Sequence, residues 1–378
     1  MKLHTSTNDV HIVGGGIIGL TLAWRLASEG RNVTLIDRGL MGRGTSWAGA
    51  GILPPANFDN ASDPIDSLRG LSHQLFSEWT LELESQTNLD PGLRKCGGWY
   101  LADSPGEKAS MIGLSDYWAE LQIEVNEVAL SELAVREPAL AQWSKGENAH
   151  GAWWVPDEFQ LQTRNYIHCI KEACMYQGVR LRENCQVTKV RESQSKPQIM
   201  IDNQWHTSDQ LILCGGTWLG QFTENFGLEK SLIPVRGQIL LLESREIDCR
   251  RIINVGHRYL ACRGDGTILV GSCEEEVGFQ LGTTEYVRQD LLAFAHNLIP
   301  ELQNAQTLDF WSGLRPMTFD GFPMIGRIPH TVNTYIACGH FRSGLHLSTG
   351  TASVLTDLLQ GRVPIINLEP FRVGKQIT

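Results

Sequence analysis

Near the start of this 378-residue chain, Gly14-Gly15-Gly16-Ile17-Ile18-Gly19 fits the spacing GxGxxG, and Asp37 stands 18 residues beyond its last glycine. Residues of these types at this spacing can hold a dinucleotide. Gly14 permits a sharp turn, Gly16 lets the backbone approach a pyrophosphate, and Gly19 lets a helix pack close to a strand. The free N–H groups and partial positive charge of the helix N-terminus then face the phosphates. A carboxylate at Asp37 is placed to accept hydrogen bonds from ribose hydroxyls. The pattern does not separate NAD from FAD. No HExxH or GxSxG occurs, and the histidines do not stand at metal-ligand spacing, so no metal or nucleophilic triad is expected.

A lone glycine pattern is often only a tight turn, so the surrounding elements matter. "VHIV", Val10–Val13, is a short apolar run of the kind a buried parallel strand needs. Ile18, Leu22 and Leu26, with Ala23 and Ala27 beside them, repeat at helical spacing, and Gly30 is a helix stop. "NVTLI" reads as a second strand with Asp37 at its end. Further on, "NYIHCIKEACMYQGVRLREN" reads as a helix ending at Gly178 and then a strand. "HRYLACRGDGTILVGS" has two strand-like runs around Gly-Asp-Gly, a hairpin signal. "SGLHLSTGTASVLTDLLQG" reads as a final helix stopped by Gly361.

The length suggests two domains, or one domain with a large insertion. Hydrophobic residues at 42% and charged residues at 20% are ordinary for a folded globular chain. A net charge of −10 repels phosphate backbones and anionic lipid, so neither nucleic acid nor a membrane surface is an expected partner. No apolar run has the length of a membrane span. "MKLHTSTND" lacks an apolar h-region, which argues against a cleaved signal. Nine cysteines without CxxC pairs read as reduced thiols of a cytoplasmic protein.

The next stretch narrows the reading. "GRGTSWAGAGILPP", Gly42–Pro55, is a loop of small residues directly after the acid. Taken alone it is a glycine-rich surface loop. It also resembles the segment of flavoprotein amine oxidases that passes the pyrophosphate and reaches the isoalloxazine ring. In wording it resembles the glycine oxidase family of thiazole biosynthesis, within the D-amino acid oxidase superfamily. "FWSGLRPMTFDGFPMIG" (Phe310–Gly326) and "ACGHFRSGLHLSTGTASVLTDLL" (Ala337–Leu359) look like signatures of the same family. "LILCGGTWLG" (Leu211–Gly220) fits its strand and glycine turn closing the nucleotide site.

This resemblance spans essentially the whole chain and implies an α/β fold. A discontinuous Rossmann-like FAD-binding domain, residues 1–85, 150–226 and 308–378, would carry an α+β substrate domain, residues 86–149 and 227–307, built on an antiparallel sheet. It implies FAD and a small amino acid or amine as substrate, with molecular oxygen as acceptor. Glycine would give glyoxylate, ammonia and hydrogen peroxide through an imine, by hydride transfer from its α-carbon to flavin. No acid/base residue is implied; the cofactor does the hard step and the protein orients. A homo-oligomer is compatible.

By the same comparison, Arg315 binds the substrate carboxylate, for which its planar fork is suited. Tyr259 adds a hydroxyl, and Arg342 is a second arginine where the chain passes flavin and substrate. His340, Phe341, Ser343, Gly344, Leu345 and His346 share the Arg342 loop and would offer backbone N–H groups to the flavin pyrimidine edge. The helix 347–359 would point its positive end there, stabilising reduced flavin. Ile17 and Ile18 would meet the pyrophosphate, Asp37 and Arg38 the adenosine end, and Thr45 and Ser46 the phosphates. Ala50, Gly51 and Ile52 would lie against the flavin ring, and Val187 would pair its backbone with adenine.

Three departures stand out. Glu274, in "LVGSCEEEVGF", sits where related sequences carry an apolar residue facing the substrate. An acid there would favour a cationic side chain on the substrate, pair with a nearby arginine, or face solvent. "HLSTGTA" lacks the family's proline near the helix start. No cysteine stands near Gly313, where relatives with covalent flavin carry one, so FAD is expected to be non-covalent. Two other activities share these residues: a D-amino acid or glycine dehydrogenase passing electrons to a quinone or partner subunit, and a non-catalytic flavin-binding subunit.

Overall fold

A computed structural model of the chain describes residues 9–374. The N-terminal stretch on which the signal-peptide expectation rests therefore lies outside the described residues, apart from Asp9.

The apolar run Val10–Val13 becomes the central part of strand Asp9–Val13, with Val10 and Ile12 fully buried. It is sandwiched between Asn32–Ile36 and Gln210–Leu213, parallel to both. The full six-stranded sheet runs Met324–Arg327, Thr334–Cys338, Gln210–Leu213, Asp9–Val13, Asn32–Ile36, Arg180–Arg182. Its pairs are parallel except at the Met324–Arg327 edge. The chain leaves Asp9–Val13 in one direction for Asn32–Ile36 and returns much later on the other side. That reversal is a topological switch point, where such sheets open a crevice beyond the carboxyl ends of their strands.

Helix Ile17–Ser28 follows the glycines and is buried on most of its circumference, including Leu20, Leu22, Trp24 and Leu26. A helix apolar nearly all round belongs in a core. Its cover is helix Ser348–Leu359, which packs on it and on the long helix Pro64–Thr87. That long helix has sharp ends. Asp63 accepts a hydrogen bond from Ile65 N at 2.8 Å, Pro64 takes the first helical position, and Asn88 ends it at φ 54°. Each residue suits its place: a carboxylate cap, a proline whose missing N–H is not needed, and an asparagine tolerant of left-handed backbone.

The second sheet has eight strands, in the order Gln306–Met317, Ile233–Glu243, Thr267–Gly271, Arg258–Cys262, Ile252–Val255, Gly98–Ala102, Gly151–Val155, Asn126–Glu127. All pairs are antiparallel except Ile252–Val255 with Gly98–Ala102. The Gly-Asp-Gly hairpin forms as its turn signals imply. Asp265 Oδ1 accepts from Thr267 N at 2.9 Å, and Gly266 takes φ +86°. Gly151–Val155 and most of Gln306–Met317 fall inside segments assigned above to the flavin domain, yet they hydrogen-bond in this sheet. A strand's own residues do not say which sheet supplies its partner.

No described helix is long and apolar enough to cross a membrane, and the nine cysteines are free thiols.

Candidate functional site

A cavity of about 920 Å3 begins at the switch point and ends against the antiparallel sheet. That lies at the upper end of the roughly 300–1,000 Å3 of ligand pockets.

Its first wall is the glycine turn. Gly14 takes φ +112°, and a Cβ there would lie 2.2 Å from Cys214 O. A Cβ on Gly19 would lie 1.9 Å from Gly14 O. Only glycine fits either place, because the helix start must press onto the strand ends. Gly16 is the N-cap of helix Ile17–Ser28 and supplies no side chain to cap it. The hydroxyl of Ser46 serves instead, accepting from Ile17 N at 2.9 Å. Thr45 Oγ1 donates to Leu314 O at 2.5 Å, which ties the loop to strand Gln306–Met317.

Asp37 holds the loop in shape. Its Oδ2 accepts from Gly15 N at 2.7 Å and its Oδ1 from Gly39 N at 2.8 Å. A carboxylate has about four acceptor positions, so both oxygens keep capacity for a ribose hydroxyl. The Arg38 guanidinium stacks on Trp218, 4.1 Å from the ring centroid, and both line the cavity. Val187 lines the same end and is almost fully buried.

Ala50, Gly51 and Ile52 and the loop from His340 to His346 also line the cavity. Gly51 has φ +78°, and a Cβ on it would sit 1.9 Å from Leu161 O. Phe341 also takes a positive φ, 45°, unusual for a bulky residue. His340 is buried, with Nε2 3.0 Å from Thr351 Oγ1. Burial lowers its pKa to about 3, so it is a neutral imidazole at pH 7. His346 Nε2 is buried without a hydrogen-bond partner among the described residues. Burial, followed by the nearby His73 and Arg69, holds that imidazole well below its ordinary value. The first turn of helix Ser348–Leu359 spends one N–H on the protein itself, as Gly350 N donates to Ser72 Oγ at 3.1 Å.

The far end is built by strands of the antiparallel sheet. Register places Tyr259 opposite both Asn254 and Gly271, and Arg315 opposite Val235. A Cβ on Gly271 would be 2.2 Å from the Tyr259 hydroxyl, and one on Gly237 2.2 Å from Arg315 Nη2. Bare backbone therefore makes room for both side chains. Arg315 donates through Nη1 to Cys273 O at 3.0 Å and through Nη2 to Ser272 Oγ at 2.7 Å. Burial lowers its pKa, as does Arg342, while Tyr259 and Glu274 oppose the shift. The Tyr259 hydroxyl is raised by burial and held back by the two arginine charges.

Nearly all the residues singled out from sequence meet on this one cavity; Gly19 and Glu274 do not line it. Gly19 acts behind it. Glu274 instead faces Arg342, with Oε1 3.1 Å from Nη1. Of the three settings expected for Glu274, the structure shows two together: it pairs with Arg342 and its side chain is 41% exposed to solvent. Ser272, Asn254 and Trp218 are among the lining residues that were not anticipated. Asn254 had a readable signal, a polar residue inside the apolar strand "IINV". Ser272 and Trp218 gave none beyond their place next to strand ends.

Glycines at which a Cβ would collide, Gly14 and Gly51 among them, line the cavity, so bare backbone forms part of its wall. The helix N-terminus, the Ser46 hydroxyl and Arg38 fit a pyrophosphate, and the Asp37 carboxylate fits the ribose hydroxyls of an adenosine as acceptor. The sequence signature described as FAD dependent oxidoreductase, the D-amino acid oxidase family, matches residues 9–358, and the chain belongs to that family. It is an FAD-dependent flavoenzyme. Within the family it is 31% identical to the glycine oxidase of Pseudomonas putida over 367 residues, 97% of this chain and 98% of that one. It is 30% identical to the bifunctional protein ThiO/ThiG of Nostoc sp., matching 93% of this chain but 53% of the longer protein. The crystal structure of glycine oxidase from Geobacillus kaustophilus superposes with a TM-score of 0.91 at 26% identity, covering 98% of this chain and 99% of that one.

Proposed function

We propose that this enzyme oxidises glycine, or an amino acid or amine of similar size, at a non-covalently held FAD. Glycine, oxygen and water would give glyoxylate, ammonia and hydrogen peroxide. The observation that carries this reading is that Arg315 and Tyr259 line the same cavity as the glycine turn, with Arg315 fixed there by its hydrogen bond to Ser272 Oγ.

Bound FAD supplies the acceptor for the hydride leaving the substrate α-carbon. The chain's own task is to hold that carbon in place. The Arg315 guanidinium takes the substrate carboxylate, and the Tyr259 hydroxyl donates a second hydrogen bond to it. Burial strengthens both contacts, since little water competes. Their strands are rigid members of one sheet, so the bound carboxylate fixes the direction of the neighbouring carbon–hydrogen bond. His340 and His346, kept neutral by burial, add no charge beside the cofactor.

Purified holoenzyme mixed with glycine, sarcosine and D-alanine tests the reading. Peroxide with oxygen consumption is expected. A yellow protein that reduces an artificial dye but consumes no oxygen would show a dehydrogenase, and one that does neither would show a flavin-binding subunit.

A further inference from the structure

Glu274 is not a free surface acid. Its neighbour anchors it. Glu275 N donates to Arg236 O at 3.0 Å, and Arg236 N donates to Glu275 O at 2.8 Å. The Arg236 guanidinium holds the Glu275 carboxylate at 3.1 and 3.0 Å, and Gln238 donates to it at 2.7 Å. While Glu275 is held by Arg236, Glu274 pairs with Arg342.

Arg342 is held from two sides. Glu274 Oε1 lies 3.1 Å from Nη1, and Nη2 donates to His257 O at 3.4 Å. Arg342 lines the cavity and Glu274 does not. Of the two arginines at this end, Arg315 has neutral hydrogen-bond partners among the described residues, a carbonyl and a hydroxyl, while Arg342 has a carboxylate.

We infer that Glu274 is a specificity determinant: by neutralising Arg342 it leaves one cation for the substrate and confines the site to amino acids with a single carboxylate. A second carboxylate on the substrate would find Arg342 occupied and the Glu274 charge beside it. A basic side chain gains little, because Glu274 is already paired. The inference rests on the proposed role of Arg315 in taking the first carboxylate.

The test uses holoenzyme and needs no turnover. Acetate, malonate and succinate are titrated separately while the visible flavin spectrum is followed, in the wild type and in Glu274→Gln. Acetate is expected to bind the wild type more tightly than either dianion. Glu274→Gln is expected to shift the dianion-to-acetate affinity ratio about fivefold or more toward the dianions, the scale of one partly exposed charge pair. The shift should shrink as salt rises, because both partners are about two-fifths exposed. Glu274→Ala, checked for flavin content, should shift the ratio the same way. A ratio that moves by less than about twofold in both variants overturns the inference, on the same charge-pair scale. No spectral response to any carboxylate overturns it together with the role of Arg315. Failure of glycine to yield peroxide would sink the oxidase reading alone and leave the titration readable.

Discussion

Replacing Arg315 with alanine separates substrate grip from structure. The side chain now donates to Cys273 O at 3.0 Å and to Ser272 Oγ at 2.7 Å. Ser272 is only 3% exposed, so water cannot replace its lost donor freely. The structural cost is about 1–3 kcal/mol for acceptors left unpaired, and it should lower the melting temperature by a few degrees. The functional cost is separate. A charge-assisted contact to a carboxylate is worth about 1.5–3 kcal/mol, which becomes roughly a 10- to 150-fold loss in kcat/KM for glycine. Arg315→Lys keeps the charge but not the fork, and should fall between wild type and alanine. Steady-state kinetics on glycine, acetate inhibition and thermal melts of the FAD-loaded proteins read these terms independently. An alanine variant with full flavin content, a lowered melting temperature and kcat/KM within about threefold of wild type, well under the expected loss, would refute the carboxylate role.

Gly14→Ala should yield protein with little bound FAD, since its Cβ would meet Cys214 O at 2.2 Å with φ at +112°; the 450-to-280 nm absorbance ratio checks this. Asp37→Ala removes the acceptor for Gly15 N and Gly39 N, and FAD should bind about tenfold or more weakly by fluorescence titration; unchanged affinity would show the loop holds without it. Glu158 is fully buried, and burial pushes its carboxyl up to about 7 against hydrogen bonds from Tyr100 and Asn254. Because its native pKa is raised, the native state binds the extra proton between the ordinary carboxylate range and pH 7. Stability from this group is therefore present at low pH and lost as pH rises through about 7. Glu158→Gln should abolish that loss and make the protein relatively more stable at pH 8; chemical denaturation at several pH values would show an unchanged slope if the idea is wrong.

Local sequence already determined much of this molecule. The turn at Gly14, the helix behind it, the strand ending at Asp37, the Gly-Asp-Gly hairpin and the final helix each follow from residues a few places apart. Steric and hydrogen-bonding preferences act over that range, so their signals are written in short stretches. Arg315 and Tyr259 were singled out through the wording of the motifs around them, and both line the cavity. What only the tertiary structure decided is which distant pieces meet. Val10 lies beside Gln210, and Tyr259 lies between Asn254 and Gly271. Gly151–Val155 joins the antiparallel sheet, and Ser46 caps a helix that begins 29 residues earlier. Glu274 illustrates the division. Its type was visible and three settings were open, but the pairing with Arg342 needed two chain segments brought together by separate sheets. Strand periodicity says which way a side chain faces, and packing across the whole chain says what it faces.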